Sequence, residues 1–361
     1  MFQRYLNLAG SYIGYKSGFE SFIKPLYLTF IVTRNCNLKC PFCYAWRNPP
    51  KNELNLEEIK DVFSSKILKN LISVGISGGE PFTRTDIVDV ALAILERIPN
   101  LADLRFVTNG CLSEKIVSSI KKILEITNSR ISVKISIDGL ESKHDGFRGK
   151  GTFSKAMTTL EALKGLQENN ANLSISIGFT ATDQNIEEIW EVYNRFRKDY
   201  EFFFKPAQSL PISEPLPISE KTRQSLIEFT EYYLEEEFKN KKSSLWLSSR
   251  KLYYEYLLAF LKTQDVRPVP CSAAYSFLTL DSDGTVHPCS VSSYKLGNVK
   301  ERSLDQIWFS SATSKIRKKI KSGECTCCTS CDLGPSILTC RWYGIVFNYL
   351  TGLYTHSTST N

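Results

Sequence analysis

The feature that most constrains the fold is a regular alternation of apolar runs and amphipathic segments between Leu26 and about Pro206. The apolar runs are rich in Ile, Val and Phe, and several are nearly continuous, which is typical of buried parallel strands. The six predicted strands are Leu26–Thr33, Leu71–Ser77, Leu104–Thr108, Ile131–Ile137, Leu173–Thr180 and Glu201–Lys205. Strand–helix repeats with short connections predict an α/β fold, either a partial (β/α)6 TIM-like barrel or a doubly wound sheet.

Two of the intervening segments carry signals for the start of a helix. Asn55 followed by Glu58 has the spacing of an N-cap residue and its capping-box partner, ahead of an amphipathic run. Ser113 is placed to cap the helix that follows the third strand. Both signals support the alternation of helices with strands.

Polar residues and glycines gather where the predicted strands end. The cysteine-containing loop follows the first strand, Gly78-Gly79-Glu80 the second and Thr108-Asn109-Gly110 the third. Ser136 and Asp138 close the fourth strand, while Thr180 and Lys205 end the fifth and sixth. In a parallel barrel these positions share the C-terminal rim, where such folds place their active sites.

The sequence beyond the sixth strand has a different character. Residues 207–219 contain three prolines and predict a linker, helical sequence runs from about Glu220 to Lys262, and Asp281–Gly284 predicts the turn of a β-hairpin. Ser303–Lys321 is predicted to be helical. The predicted divisions are an N-terminal extension (1–24), the partial barrel (25–206), a linker with a helical segment (207–265), a small Cys-rich α+β domain (266–345) and a tail (346–361).

Cysteine usage and charge limit the environment and the partners. Eleven cysteines in a chain without a signal-peptide pattern favour metal binding over disulfides, because the cytosol keeps thiols reduced. No apolar run is long enough to span a membrane, so we expect a cytoplasmic protein. The net charge of +7 is spread along the chain, and its densest basic run, 315–321, is interpreted as a solvated helix face; no nucleic-acid partner is expected.

The loop after the first strand holds the strongest chemical signal. Cys36, Cys40 and Cys43 form a C-x3-C-x2-C motif. Three thiolates on one tight loop can hold three irons of a cubane cluster and leave the fourth iron open to a substrate. A structural zinc site would want a fourth closed ligand, and the sequence places no further Cys or His nearby.

This motif, with the aromatic Phe42 before its last cysteine, resembles the signature of the radical S-adenosylmethionine superfamily. The resemblance implies that S-adenosylmethionine chelates the open iron of a [4Fe–4S] cluster and is cleaved to a 5′-deoxyadenosyl radical. Gly78-Gly79-Glu80-Pro81 matches the family's GGEP element, so that Glu80 is expected to accept hydrogen bonds from the cofactor ammonium. The family's other contacts to the cofactor fall by position on Asn109, Ser136, Asp138 and Arg148.

A second group of cysteines lies near the C-terminus. Cys271 and Cys289 stand as C-x12-G-x4-C around the predicted hairpin, and Cys325, Cys327, Cys328 and Cys331 follow a helix. The pattern is similar to the SPASM/Twitch extension, although its last cysteines depart from the SPASM spacing. We therefore expect one auxiliary [4Fe–4S] cluster on Cys271, Cys289, Cys328 and Cys331, with Cys325 as an alternative ligand. Structural zinc on four thiolates is the competing interpretation, and Cys325, Cys327 or Cys340 is a candidate free hydrogen donor.

These features predict a radical S-adenosylmethionine oxidoreductase that abstracts hydrogen from a small-molecule or peptide substrate. The outcome would be dehydrogenation, epimerisation or bond formation, with a flavodoxin or ferredoxin as electron donor. About 25 residues precede the first strand, with no leader-peptide-binding module evident, which argues against a peptide. One alternative is a non-catalytic iron–sulfur or zinc protein. Another is a peripheral membrane enzyme that acts on lipid precursors, although membrane association is not expected. It would use the aromatic residues near both termini: Phe2, Tyr5, Tyr12, Tyr15, Trp342, Tyr343, Phe347, Tyr349 and Tyr354.

Overall fold

A computed structural model describes residues 2–19, 23–43, 45–47, 52–207, 218–239, 245–263, 267–325, 327 and 330–340. Its central feature is one nine-stranded sheet in the order β6-β5-β4-β3-β2-β1-β7-β8-β9. The strands are β1 (Tyr27–Thr33), β2 (Ser73–Gly78), β3 (Asp103–Thr108), β4 (Arg130–Ser136), β5 (Leu173–Ala181), β6 (Glu201–Pro206), β7 (Phe277–Leu280), β8 (Thr285–His287) and β9 (Gly297–Asn298). Because β6 and β9 lie at opposite ends, the barrel is partial and does not close.

The first six strands are parallel neighbours in sequence order. Each of the six predicted strands is confirmed with both ends within two residues of the prediction. The crossovers carry α2 (Leu56–Phe63), α3 (Ile87–Arg97), α4 (Ser113–Leu124), α5 (Glu141–Arg148), α6 (Thr152–Glu168) and α7 (Ile189–Phe196). The core between the sheet and these helices includes wholly buried Phe30, Ile76, Phe106 and Ile135.

The predicted helix starts have different outcomes. Asn55 caps α2 and forms a full capping box with Glu58, as expected. The prediction that Ser113 caps its helix is wrong: α4 begins at Ser113 itself, and Leu112 occupies the cap position without a side-chain bond. The hydroxyl of Ser113 instead donates to the carbonyl of Lys155 in α6, so it ties two crossover helices together.

The C-terminal part adds to the sheet at β1. Strand β7 pairs in parallel with β1, with Tyr27 opposite Phe277 and Phe30 opposite Leu280. The predicted hairpin is confirmed, because β7 and β8 are antiparallel around the Asp281–Gly284 turn. Its glycine, Gly284, has a φ of +89°, which explains why glycine ends this turn.

The predicted long helices are interrupted in the structure. The segment from Glu220 to Lys262 forms α8 (Glu220–Phe238) and α9 (Leu245–Lys262). The segment 303–321 forms α10 (Leu304–Trp308), α11 (Ser311–Lys319) and a π-helical turn, because Ser310 caps a new helix by accepting from the Thr313 amide. Most of the predicted linker, 208–217, lies outside the described residues.

The N-terminal segment forms α1 (Phe2–Ser17), which packs on α12 (Ser330–Cys340). Tyr15 of α1 is buried, with its ring centre 5.1 Å from that of Tyr275. Of the other aromatic residues behind the membrane alternative, Phe2, Tyr5, Trp342, Tyr343, Phe347, Tyr349 and Tyr354 lie outside the residues whose side chains are described. Within the described helices, none combines the length and apolarity needed to cross a bilayer.

The basic run 315–321 is only partly a solvated face. Arg317 is buried, donates from Nε to the Ala274 carbonyl at 2.7 Å, and lies over the ring of Trp308. Lys321 donates to the Tyr15 carbonyl at 2.7 Å, near the end of α1, where a cation is favourable to the helix dipole. Part of this run therefore holds the C-terminal helices against the rest of the protein.

Candidate functional site

The cysteine loop begins where β1 ends, and its first residues are fixed by hydrogen bonds. The Thr33 hydroxyl donates to the Glu53 carboxylate at 2.8 Å, and the Arg34 amide donates to the same carboxylate at 2.7 Å. The Cys43 amide donates to the Cys40 carbonyl at 3.1 Å, which tightens the far part of the loop. Glu53, which carried no signal in the sequence, therefore anchors the start of the loop.

Gly78 and Gly79 lie directly against this loop. The Gly79 and Glu80 amides donate to the carbonyls of Thr33 and Asn35, both at 2.8 Å. A Cβ at Gly79 would lie 2.2 Å from the Asn35 carbonyl oxygen, and one at Gly78, where φ is +134°, would lie 2.1 Å from that of Thr33. The missing side chains at the two glycines therefore allow a close backbone approach to the cysteine loop itself.

Glu80 is wholly buried, and its carboxylate is engaged by three protein donors. It accepts from the Thr108 hydroxyl and the Asn109 amide, each at 2.8 Å, and from the Phe82 amide at 3.2 Å. Burial raises its pKa to about 7, against the opposing effect of these donors. The structure thus gives Glu80 a role in holding the end of β3, while direct contact with a cofactor ammonium stays a prediction.

Asn109 joins the end of β3 to the cysteine loop. Its side-chain amide donates to Asn37 Oδ1 at 2.8 Å and lies 3.9 Å from the Sγ of Cys36. The Leu38 amide is a second donor to the same sulfur, at 3.4 Å. Thiolates that bind iron–sulfur clusters commonly accept such N–H bonds, which tune the cluster potential.

Asp138 and Arg148 form a buried ion pair on the same rim, with Nη2 2.5 Å from Oδ2. The guanidinium carbon of Arg148 lies 5.6 Å from the ring centre of Phe42, and the Phe42 and Phe147 rings are 5.0 Å apart. Phe42 and Phe147 line a cavity of about 230 Å³ that also borders Thr182, Asp183 and Gln184 after β5. Ser136 ends β4, half-buried on the same side of the fold.

Burial and the Arg148 cation act in opposite directions on the pKa of the Cys36 and Cys40 thiols. Burial raises the pKa of Cys36 and raises that of Cys40 to about 11, whereas the Arg148 cation acts in the opposite direction on both. Across the described ranges, no three Cys, His, Asp or Glu side chains are gathered as closely as bound metal requires. The donor set nevertheless fits a cubane cluster: three thiols on one loop, N–H donors to sulfur, and a fixed cation.

The hairpin carries the first two cysteines of the C-terminal group. Cys271 precedes β7 and Cys289 follows β8, and both are buried. Cys325 is half-buried, Cys328 lies outside the described residues, and Cys331 belongs to α12, although its side chain is not described. The choice of the remaining ligands, and between iron–sulfur and zinc, therefore stays a prediction.

Cys340 lies closer to the C-terminal cysteine group than its distance from Cys331 in the sequence indicates. Its side chain is buried, and its Sγ lies 3.9 Å from the Pro270 carbonyl, next to Cys271. One turn earlier on α12, Ser336 accepts from the Ser272 amide at 3.1 Å. Helix α12 therefore runs along 270–272 and makes Cys340 a further candidate ligand, which only the tertiary packing reveals.

Comparisons with known proteins agree with this geometry. A model of the radical SAM superfamily matches residues 30–196, and a model of the SPASM iron–sulfur cluster-binding domain matches residues 271–332. The antilisterial bacteriocin subtilosin biosynthesis protein AlbA of Bacillus subtilis is 24% identical over 83% of this chain and 63% of its own length. This chain thus spans less than two thirds of that relative.

Two further similarities cover most of the chain. The Fe-coproporphyrin III synthase of Methanosarcina barkeri is 28% identical over 77% of this chain and 72% of its own length. Streptococcus suis SuiB bound to S-adenosylmethionine has the same fold, with a TM-score of 0.59 at 20% identity over 82% of this chain and 68% of that one. The chain belongs to the radical S-adenosylmethionine superfamily and carries a SPASM iron–sulfur domain after its partial barrel.

Proposed function

We propose that the chain holds a [4Fe–4S] cluster on Cys36, Cys40 and Cys43 and uses it to cleave S-adenosylmethionine reductively. The observation that carries this proposal is the attachment of the loop to Gly79 and Glu80, with 2.8 Å bonds, within reach of Asn109. The cluster held by these three cysteines would, once reduced, supply the one electron that cleaves the sulfonium into methionine and a 5′-deoxyadenosyl radical.

The chain's own residues orient the cofactor and shield it. The cavity beside Phe42 and Phe147 offers aromatic surface for an adenine ring, and Asp183 and Gln184 supply polar groups at its edge. Arg148, held by Asp138, provides a fixed cation for a carboxylate, and Ser136 lies on the same side for the ribose. Holding both ends of the cofactor in this way would direct the radical toward one bound substrate.

The substrate is proposed only by class. AlbA takes part in bacteriocin biosynthesis and the Methanosarcina relative is a Fe-coproporphyrin III synthase, so we infer a peptide or a small-molecule precursor. An auxiliary cluster on Cys271, Cys289 and either the Cys328/Cys331 or the Cys325/Cys328 pair would accept an electron or help to hold substrate. A flavodoxin or ferredoxin in a reducing cytoplasm is the proposed donor.

Anaerobic reconstitution with iron and sulfide, followed by dithionite and S-adenosylmethionine, tests the proposal by quantifying 5′-deoxyadenosine. Cys36→Ala should abolish the product, because two thiolates hold a cubane poorly. Cys111→Ala is the matched control: Cys111 lies on the same rim, 3.7 Å from the Asn109 carbonyl, and should keep the wild-type yield. Iron-loaded wild-type protein that forms no 5′-deoxyadenosine would instead identify a non-catalytic iron–sulfur protein.

A further inference from the structure

A buried ion pair connects the cysteine loop to the C-terminal hairpin. Arg34 lies two residues before Cys36, and Asp281 is the first residue of the turn between β7 and β8. Arg34 Nε donates to Asp281 Oδ1 at 3.1 Å, and Nη2 donates to Oδ2, so the contact is bidentate. The Asp281 side chain is only 4% exposed and that of Arg34 25%. A bidentate guanidinium–carboxylate contact fixes direction as well as distance.

The carboxylate is itself rigidly held within the hairpin. The Asp281 amide donates to the Thr285 carbonyl at 2.8 Å, and Asp281 Oδ1 also accepts from the Ser282 amide at 2.7 Å. Strand β8 starts at Thr285 and ends two residues before Cys289. One short and ordered path therefore joins the start of the first cysteine loop to Cys289, a candidate ligand of the second metal site.

Strand pairing does not require this contact. The β1–β7 ladder runs from Tyr27 to Phe30, and Arg34 lies four residues beyond its last pair. Burying an ion pair adds little to stability on balance, because desolvation offsets the attraction. Its position instead gives the loop a second support: Gly79 and Glu80 hold it from the β2 side, and Asp281 holds it from the β7 side.

We propose that the Arg34–Asp281 pair is the link through which the C-terminal iron–sulfur domain positions the Cys36–Cys43 loop. It makes cluster retention on the loop depend on an intact Cys271–Cys289 hairpin. Arg34 and Asp281 are positioning residues, since neither has to touch cluster or cofactor. The inference rests on the proposed function, because it assumes a cluster at each of the two cysteine groups.

The test measures the rate at which a chelator removes the loop cluster. The cluster that remains is monitored by electron paramagnetic resonance, through the signal that changes when S-adenosylmethionine is added. Asp281→Asn should release this cluster roughly tenfold faster than wild type, since the buried guanidinium loses its charged partner. Asp283→Asn is the matched control, because it makes the same change in the same turn, where Asp283 accepts from the Thr285 amide rather than from Arg34. It should release at the wild-type rate.

Coupling is tested in the Cys271→Ala/Cys289→Ala background, where all remaining iron is on the loop. Release there should already be fast, and adding Asp281→Asn should cause no further increase. The proposal is overturned if D281N releases its cluster at the wild-type rate. It is also overturned if D281N accelerates release in the double-cysteine variant by the same factor as in the wild-type background. If D281N does not fold, Arg34→Lys decides, because it keeps the charge but loses the bidentate contact: wild-type release from R34K also overturns it.

The failure of this inference is distinguishable from that of the proposed function. A wild-type protein that retains no cluster on the loop, or that retains one without cleaving S-adenosylmethionine, contradicts the proposed function. A wild-type protein that cleaves the cofactor and loses its cluster no more slowly than D281N contradicts only the role of the ion pair. Asp281→Glu keeps the negative charge. Slower cluster release from this variant than from D281N would support a positioning role over a general loss of structure.

Discussion

Gly79 shows how little space separates the second strand from the cysteine loop. Replacing it by alanine would put a Cβ 2.2 Å from a backbone oxygen that no rotamer change can move. We expect Gly79→Ala to cost at least about 2 kcal/mol of unfolding free energy and to reduce iron loading, because the loop has to shift. Urea unfolding and iron content measure the two effects.

The matched control is Gly75→Ala in β2, the strand that ends one residue before Gly79. There an added Cβ would meet its nearest atom at 3.9 Å, which is ordinary contact. We expect G75A to unfold and to load iron as wild type does. Similar losses in both variants would show that the strand, rather than the approach to the loop, is sensitive to a side chain.

Because His144 is buried, we expect the protein to lose unfolding free energy in mild acid. It is wholly buried, with Nδ1 accepting from the Asp138 amide, and burial together with the Arg148 cation lowers its pKa from 6.5 to about 4. The unfolded chain therefore binds this proton at a higher pH than the folded one. The contribution to stability is complete above pH 6.5 and is lost as the pH falls toward 4.

Between pH 7 and pH 5 this linkage should remove about 2 kcal/mol of the unfolding free energy. His144→Asn keeps an acceptor for the Asp138 amide but does not titrate. Urea unfolding of the metal-free protein at both pH values should therefore show a smaller pH dependence for H144N. An equal loss in variant and wild type would assign the effect to other groups.

At the scale of elements, Arg250 joins α9 to α8 and to the outer strand β6. Its buried guanidinium donates to the Tyr233 hydroxyl at 2.7 Å and pairs with Glu237 at 3.1 Å and Glu201 at 3.2 Å. Arg250→Ala should lower the unfolding free energy by about 3 kcal/mol, because it removes the cation that pairs with the nearly buried Glu237 carboxylate.

Lys262→Ala provides the comparison in the same helix. Lys262 pairs with Glu231, and both side chains are 49% exposed. An exposed pair contributes less than about 1 kcal/mol. Urea denaturation measures the loss of unfolding free energy in both variants. Equal losses would contradict the conclusion that the buried Arg250 contributes more than the exposed Lys262.

Helices and strands could be predicted where neighbouring residues determine them, and not where a single cap bond or a distant contact does. The six strands follow from runs of Ile, Val and Phe, and their ends were predicted within two residues. The break between α10 and α11 was missed because Ser310 acts through one cap bond inside a sequence with good helical spacing. Ser113 was misassigned for the converse reason, since its partner in α6 is distant in sequence.

The candidate site divides in the same way. Cys36, Cys40, Cys43 and the Gly78–Glu80 element could be found from spacing and from their places after strands. Four other residues could not be assigned their roles from the sequence, because each role depends on a contact with a residue remote in the chain: Glu53, Arg34, Asp281 and Cys340. That Glu80 faces inward likewise follows from Thr108 and Asn109 rather than from its own motif.

For the whole molecule, the sequence predicted a barrel and a separate small domain. The sheet runs through both, since β7 occupies the position next to β1. Pairing between strands so far apart in the chain leaves no local pattern, and β7 and β8 are short enough to be read as an independent hairpin. The predicted divisions at 25–206 and 266–345 remain predictions, but they cut a continuous ladder of hydrogen bonds.

The central place of β1 has a consequence for synthesis. Tyr27–Phe30 is translated early, yet the strand that covers its second edge starts only at Phe277. Until then the nascent chain carries an uncovered apolar strand edge, which is the kind of surface that pairs with other chains. Completion of the sheet must wait for the C-terminal part, so a premature stop in that region would release an aggregation-prone product rather than a smaller folded protein.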